Sequence, residues 1–496
     1  MKLNNWFQTN FKYSGTGYAK FDSPVGLLKG QCSGLCKEDG NLEIELKVEE
    51  TEESPNPFAI VNGDLGKCIE LKFETDEGIF SSDNLVVSGS SYGDEYIVSF
   101  VPLISKFQSK NTQKTKYWVM PLSNLITEFL ETSRSLDDHP LTNNKLQKIL
   151  FTFNQEIALI EPIENYKQKE DDLKKGITNR LITALAIGTL NNQLHLLDQL
   201  ENWYPIDIIM ILSLASGGII GSPWREIRSE DGELISRIHI NSYGSSFKKS
   251  RGAIRETFHR GCTGKLLNKA LSSPEFGKSN LRVLIRHLMD SNAGPTLEDK
   301  FMPLCIAFDM LMNIYKLKEV LLHKLNSDLQ NKIGGIIDSG ELEINAISES
   351  PKITAQEKDL IYELSGRLKE IKTSRSGFGR GLISLLRKYE FPDSEILDDY
   401  YEKLPGKRKW RHVVSRFRNI IIHDGFIDFK GNKKERIHVS KIIFHLQDVL
   451  TRMIFKMIDY DDLYQPVTIP YPVVDYKVDW VNKHGDAVKL GFNEPF

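Results

Sequence analysis

The chain has 496 residues, of which 40% are hydrophobic and 26% are charged, and its formal net charge is −3. That length exceeds what one hydrophobic core supports, so we expect two to four domains, and the composition is that of an ordinary globular protein. The near-neutral charge gives no sign that the whole surface binds nucleic acid.

Targeting and metal signals are weak. Met1–Trp6 lacks an apolar signal core, and the longest apolar stretch, 206–220, is too short to span a bilayer. The five cysteines are scattered and odd in number, which favours free thiols in a reducing compartment. Cys32 and Cys36 are spaced as half of a metal site, but no second ligand pair follows. We therefore expect a cytoplasmic protein without a membrane partner, a metal or another cofactor.

Residues 1–120 are predicted to form a β-rich domain with a sensory or regulatory role. Leu42–Val48 alternates apolar and charged residues, which is typical of a strand with one solvated face, and 69–73 and 96–100 are further candidates. Clusters of Gly, Ser, Asn and Asp separate them. We expect an antiparallel sheet or sandwich.

From residue 121 the hydrophobic period changes. Leu122, Leu125, Ile126, Phe129 and Leu130 are spaced as one helical face, and similar patterns continue through Leu200. Residues 121–279 are therefore predicted to be a mostly helical middle region, with a strand or hairpin at 235–242.

Residues 280–460 are predicted to form an all-helical bundle, followed by an extended tail at 461–496. Pro303 is predicted to start a long helix. Thr354 and Glu357 fit a capping box, with Leu360, Leu364 and Leu368 as the apolar stripe of the helix that follows. The whole chain is thus expected to be an α+β multidomain protein.

The side chains best suited to catalysis lie in one segment, 416–423, whose sequence is RFRNIIIH. At about 100° per residue, one side of this helix is apolar and a neighbouring side is polar. The apolar stripe comprises Trp410, Val413, Val414, Phe417, Ile420 and Ile421, and the polar stripe comprises His412, Arg416, Asn419 and His423. A histidine can move a proton near neutral pH, and an arginine can hold phosphate charge. The segment is therefore a candidate phosphodiester site.

The geometry of a regular helix separates the two most reactive groups. Arg418 lies at the other edge of the apolar stripe, near Arg411, and about 140° around the helix from His423. They converge on one phosphate only if His423 leaves the helical path or a second copy supplies the partner group. Arg416 shares the side of His423, so the sequence leaves open which arginine acts.

Basic residues flank the motif. Lys407, Arg408, Lys409 and Arg411 precede it, which favours a polyanion partner; the alternative is a solvated corner between helices. The same Arg-x4-His spacing recurs at Arg282–His287. That copy lies on a simple amphipathic pattern without an Asn after the Arg, so we interpret His287 as a structural or surface residue.

Arg418-Asn419-Ile420-Ile421-Ile422-His423, followed by Gly425 and set in a helical bundle, resembles the Arg-x(4–6)-His motif of the HEPN superfamily. The order of a β-containing N-terminal region before such a bundle also resembles ApeA-like antiphage HEPN proteins. The resemblance implies metal-independent RNA cleavage to a 2′,3′-cyclic phosphate and a 5′-OH, by a homodimer or higher homo-oligomer whose motifs meet. It implies His423 as the proton-transfer group, Arg418 as the phosphate-stabilising group and Asn419 as the orienting group.

Three hypotheses follow. The first is an endoribonuclease that acts as a toxin in antiphage defence or abortive infection, with RNA, tRNA among the candidates, as substrate and a phage-derived trigger. The second is a catalytically inactive HEPN-like module that dimerises or binds RNA. The third is an unrelated helical scaffold in which the motif is coincidental.

Overall fold

The fold is that of a computed structural model. It describes residues 8, 10–22, 26–49, 67–92, 95–110, 113–126, 148–153, 155–190, 204–240, 252–254, 261–275, 279–317, 320, 322–373, 377–391, 410–428, 433–465 and 476–477. The chain divides into two compact units. Unit 1 comprises Met1–Ala293 and Ile454–Asp479, and unit 2 comprises Gly294–Met453 and Trp480–Phe496.

Unit 1 is built on one twelve-stranded antiparallel sheet. The strands are β1 (Phe11–Phe21), β2 (Leu27–Cys36), β3 (Leu42–Val48), β4 (Cys68–Thr75), β5 (Gly78–Tyr92), β6 (Tyr96–Ser109), β7 (Thr115–Ser123), β8 (Ile149–Phe153), β9 (Glu156–Pro162), β10 (Ile182–Thr189), β11 (Trp224–Ser229) and β12 (Leu234–Ile240). Their spatial order is β3-β2-β1-β4-β5-β6-β12-β11-β7-β10-β9-β8.

The first six strands close into a barrel because β3 also pairs with β6. The long strand β6 makes this possible: 96–100 pairs with β3, and 104–108 pairs with β12, which carries the sheet onward. Side chains alternate between the inside and the surface, as in β2, and the interior is filled largely by aromatic rings such as Phe73, Phe80 and Phe107. The predicted β-rich N-terminal region is confirmed.

The predicted mostly helical middle region is wrong. In the described part of 121–279, strands β8 to β12 accompany three helices, α1 (Tyr166–Lys175), α2 (Tyr204–Ser216) and α3 (Cys262–Ser272). Strand β10 is buried along almost its whole length and β11 along all of it. A strand covered on both faces loses the period-2 alternation, so its sequence resembles that of a buried helix. Of the expected strand or hairpin at 235–242, residues 235–240 are described and belong to β12, which forms a hairpin with β11. Residues 241–242 lie outside the described residues.

Unit 1 also contains α4 (Ser279–Ala293), part of the region that the sequence assigned to the bundle. Helix α2 contacts both α3 and α4. Asp207 of α2 accepts two hydrogen bonds from Arg282 of α4, at 2.5 and 3.1 Å. The described part of the predicted tail is short and extended: β13 (Leu463–Tyr464) pairs with β14 (Tyr476–Lys477).

A cluster of charged groups lies in the core of unit 1, where β11 and β12 meet the barrel. Glu226 accepts hydrogen bonds from Arg228, Arg237 and the Trp224 indole at 2.6–3.0 Å. Arg237 also donates to the Tyr13 hydroxyl, at 3.0 Å. Although burial alone raises it, the guanidinium groups of Arg237 and Arg228 hold the pKa of Glu226 below its ordinary value.

His239 adjoins this cluster and is fully buried. Its Nε2 lies 3.1 Å from the Tyr13 hydroxyl, and its Nδ1 has no hydrogen-bond partner among the described residues. Burial, aided by the charge of Arg237, lowers the pKa of His239 well below 6.5, so its imidazole is neutral in the folded protein at neutral pH.

Unit 2 is helical in its described part. Its helices are α5 (Leu297–Ile314), α6 (Ser327–Ser348), α7 (Ala355–Thr373), α8 (Phe378–Lys388), α9 (Trp410–Asp424) and α10 (Lys433–Met457), of which α10 extends into unit 1. Helix α5 starts before Pro303, because Thr296 and Asp299 form a capping box. The predicted start at Pro303 is therefore wrong, whereas the capping box of Thr354 and Glu357 is confirmed.

Within the described ranges, no helix combines the length and the apolar character that crossing a membrane requires.

Candidate functional site

The candidate site lies on α9, which packs against α5 and α8. Val414, Phe417 and Ile421 are buried, while Arg416, Asn419 and His423 are exposed. The structure therefore confirms the predicted apolar and polar sides for these residues. Of the remaining predicted residues, Val413 and Ile420 are half-buried. Trp410, Arg411 and His412 belong to the helix, but their side chains are not described, and Lys407, Arg408 and Lys409 lie outside the described residues.

The helix ends directly after the candidate histidine. Gly425 adopts the left-handed conformation at φ 80°, and its N–H donates to the Ile421 carbonyl at 2.9 Å. This is the C-terminal arrangement that glycine favours, because a side chain is strained at positive φ. His423 is thus still helical. In one chain it remains about 140° around the axis from Arg418 and about 7.5 Å further along it.

Arg418 is held by an acidic partner from α5. Its Nη2 donates to Asp309 Oδ2 at 2.7 Å, and both side chains are mostly buried. The guanidinium also lies 5.3 Å from the centre of the Phe378 ring. Its Nη1 donates to Asn419 Oδ1 at 3.4 Å. Arg418 is therefore a positioned group whose orientation is set by α5 and α8.

Cys305 lies one turn before Asp309 on the buried side of α5. Burial raises the pKa of its thiol, and the charge of Arg418 opposes this only in part. The thiol is therefore protonated at neutral pH, so it is not a reactive nucleophile beside the candidate site.

The side of α9 that carries His423 is open to solvent. Arg416 and Asn419 share it, and Ile422 and Phe426, both exposed apolar residues, lie next to it. Arg416 makes no ion pair with any described residue, in contrast to Arg418. One face of the helix end therefore combines a histidine, an arginine, an amide and apolar surface.

The second Arg-x4-His sequence has a different environment. Arg282 forms the ion pair with Asp207, and His287 is half-buried on α4, where burial lowers its pKa. The contact with Asp207 explains Arg282 within unit 1. For His287, the interpretation as a structural or surface residue stays a prediction.

The sequence did not identify Asp309. Its local signal was present, however: it is a lone carboxylate between Phe308 and Met310 in an apolar helix. A charged residue in such a position is rarely buried without a partner. Its partner, Arg418, lies 109 positions away in the chain, so only the fold joins them.

Among the described residues, no group of three or more His, Cys, Asp and Glu side chains is arranged to hold a metal ion. Cys32 and Cys36, whose spacing alone is that of half a metal site, are buried in the barrel. No family model, curated protein or solved structure matches this chain.

Proposed function

We propose that this protein is a HEPN-type, metal-independent endoribonuclease that acts as a homodimer on cytoplasmic RNA. The observation that carries the proposal is the arrangement on α9: an anchored guanidinium at Arg418 and a solvent-exposed imidazole at His423, five residues apart along a helix that ends at Gly425. The resemblance of this segment to the HEPN motif supports the same activity.

The proposed reaction is transesterification within the RNA strand. The neutral imidazole of His423 takes the proton of a ribose 2′-hydroxyl, and the resulting oxygen attacks the adjacent phosphorus. The bond to the 5′ oxygen breaks, and that oxygen leaves with a proton from the imidazolium of the partner's His423. The products are a 2′,3′-cyclic phosphate and a 5′-OH.

A second copy is part of the proposal for a geometric reason. Because α9 is regular through Asp424, the imidazole and the Arg418 guanidinium of one chain point to different sides. If two α9 helices face each other in a parallel arrangement, the edge that carries His423 in one chain adjoins the edge that carries Arg418 in the other. Asn419, beside Arg418 on the helix, then orients the phosphate or the histidine.

The two arginines receive different roles. Arg418 stabilises the charge of the pentacoordinate phosphorus, because a guanidinium fixed by Asp309 needs no reorganisation in the transition state. Arg416, which is exposed, contributes to RNA binding together with the basic residues 407–411. In this proposal unit 1 senses a phage-derived trigger and keeps the nuclease inactive until it arrives.

The test uses the full chain and an RNA labelled at its 5′ end, incubated with EDTA. His423→Ala is expected to lower the cleavage rate at least 100-fold, as for removal of a general acid–base. His287→Ala, which removes the histidine of the other Arg-x4-His sequence, is the matched control and should cleave as the wild type does. Equal rates for His423→Ala and the wild type would refute the proposal, provided circular dichroism shows that both are folded.

The arginine assignment is tested in the same assay. Arg418→Ala should reduce the maximal rate, whereas Arg416→Ala should weaken RNA binding and leave the maximal rate within about threefold. The reverse pattern would make Arg416 the catalytic arginine.

One observation favours the second candidate function, an inactive dimerisation or RNA-binding module. Asp309 already neutralises Arg418, so a phosphate approaching that guanidinium also meets a carboxylate. If the folded protein binds RNA in a salt-dependent manner but leaves it intact from pH 5 to pH 9, the binding module is the correct function.

A further inference from the structure

Helices α6 and α7 form an antiparallel hairpin within unit 2. They contact each other far more extensively than either contacts any other described element. Three polar contacts between them follow one antiparallel register: Ser365 with Asn345 at 3.0 Å, Lys369 with Glu341 at 3.3 Å, and Lys372 with Asp338. The sequence predicted Leu360, Leu364 and Leu368 as the apolar stripe of α7. Leu360 and Leu364 are exposed, and the line facing α6 runs through Ile361, Ser365 and Leu368.

The hairpin carries a second set of apolar residues that do not face its partner helix. Seven leucine and isoleucine side chains of the described hairpin are between 44% and 71% exposed, and one of them, Leu342, lies on another side of α6. The other six form this set: Leu329, Ile336 and Ile347 on α6, and Leu360, Leu364 and Ile371 on α7. At about 100° per residue, those on each helix lie in a single row, turned about 90° from the line of contact between the helices.

Both rows lie on the same side of the hairpin. This follows because the helices are antiparallel and the rows are turned in corresponding directions, so that Ile347 comes next to Leu364 and Gly340 next to Leu368. A Cβ on Gly340 would lie 3.1 Å from Leu368 Cδ2, in agreement with this placement. We call these six residues and Gly340 the apolar face. The ion pairs of Lys369 and Lys372 lie on the opposite side.

The apolar face has a shape that fits a second copy of itself when a two-fold axis passes near residue 338. If two α6 helices pack antiparallel around that position, Leu329 faces Ile347 of the partner subunit, and Ile336 faces Gly340 of the partner subunit. A large side chain thus meets a small one at the centre, which permits close packing.

Charge follows the same symmetry. Lys332 and Glu343 lie together along the outer edge of the apolar face, eleven positions apart and nearly symmetric about residue 338. Both are exposed, and neither makes an ion pair with any described residue. In the antiparallel arrangement each lysine meets the glutamate of the other copy, and the two-fold axis produces this pair twice.

We propose that the apolar face is a homodimer interface, in which the α6–α7 hairpins of two copies form a four-helix bundle with α6 antiparallel to its copy. The six side chains expose on the order of 500 Å² of apolar surface per copy, at the upper end for a monomer. Two copies together bury about 1,000 Å², which reaches the lower limit for a stable interface. The inference adds to the proposed homodimer the surface that holds the two copies together, and it does not depend on catalysis, since an inactive module would dimerise in the same way.

The first test compares two substitutions in α6 by sedimentation of the full chain. Ile336 and Leu342 are each 71% exposed, but only Ile336 belongs to the apolar face. Ile336→Glu should raise the dimer dissociation constant at least 100-fold, whereas Leu342→Glu should leave it within about threefold. A wild-type chain that is monomeric at 100 μM, or equal effects of the two substitutions, would overturn the proposal.

The second test exchanges charge. Lys332→Glu and Glu343→Lys should each weaken the dimer about tenfold, because each places like charges opposite one another twice, and the double variant should recover wild-type affinity. If the double variant instead weakens the dimer by the product of the two single effects, the partner of the apolar face is not a second copy in this register.

The third test fixes the register by cross-linking. The chain's own cysteines are all buried, so introduced surface thiols react selectively. Leu329→Cys/Ile347→Cys should form a covalent dimer, whereas each single variant should not, because residue 329 lies about 27 Å along the helix axis from its own copy. Cross-linking of the single variants alone would contradict the antiparallel register. His423→Ala should still dimerise while losing cleavage, so failure of the interface and failure of the catalytic proposal remain distinguishable.

Discussion

Glu226 offers the sharpest test of how unit 1 is held together. Its carboxylate accepts hydrogen bonds from two guanidinium groups and an indole N–H, in a fully buried position. Glu226→Gln preserves the shape but removes the charge, so Arg228 and Arg237 become buried cations without a counterion. Breaking a buried pair in this way costs about 3–5 kcal/mol. We expect the free energy of unfolding of unit 1 to fall by that amount.

The assay is hydrogen exchange of the β11 and β12 backbone, measured by mass spectrometry along a denaturant series, because the two units need not unfold together. The control is Glu43→Gln, which removes an ion pair with Lys37 whose side chains are 51% and 46% exposed. That substitution should cost less than about 1 kcal/mol. A loss this small for Glu226→Gln would refute the reasoning.

A triple substitution tests the same cluster from the other direction. Replacing Glu226, Arg228 and Arg237 together by methionine or leucine removes all three charges and should recover most of the lost stability, since apolar replacements of buried ion pairs are often neutral or stabilising. A triple variant with a lower free energy of unfolding than Glu226→Gln would contradict this, because the three charged groups would then stabilise the fold beyond neutralising one another.

Three further predictions concern pH, positioning and the end of α9. Below pH 6.5 the unfolded chain protonates His239 while the folded protein does not, so stability should fall by up to about 1.4 kcal/mol per pH unit; His239→Gln should flatten this slope in denaturation curves at pH 7 and pH 5. Asp309→Asn should slow single-turnover RNA cleavage about 10- to 100-fold by releasing Arg418, and an unchanged rate would argue against the positioning role. Gly425→Ala should destabilise unit 2 by about 1 kcal/mol because of its φ of 80°. Gly366→Ala, inside α7 and with equally free space for a Cβ, should stabilise it. Thermal melts in which both substitutions shift the melting temperature in the same direction would contradict this.

Local patterns predicted the N-terminal strands and the candidate helix. In β3, Leu42, Ile44 and Leu46 are buried, and in α9 the buried residues recur at helical spacing, as the sequence indicated. The capping box at Thr354 was equally local. Such features depend on residues within a turn or two of each other, so periodicity and capping chemistry are sufficient to find them.

The strands β8 to β12 could not be found in this way. Strands β10 and β11 are covered on both faces, so their sequences carry no alternation. Only the pairing of β11 with β12 places Glu226 beside Arg237. On α7, the predicted apolar stripe comprises Leu360 and Leu364, which are exposed, and Leu368, which is half-buried. A row of apolar side chains on a helix indicates a surface that favours burial. Only the tertiary packing decides whether that row is buried against its own chain or stays exposed.

The sequence by itself determined that one late helix carries an imidazole, an amide and two arginines along defined edges, since 3.6 residues per turn place them there whatever surrounds the helix. The tertiary structure decided which arginine is held and by what. Asp309 reaches Arg418 because α5 and α9 pack together, and no rule of local spacing connects residues 109 positions apart. Contacts between distant segments depend on which surfaces bury each other, and that is a property of the whole fold.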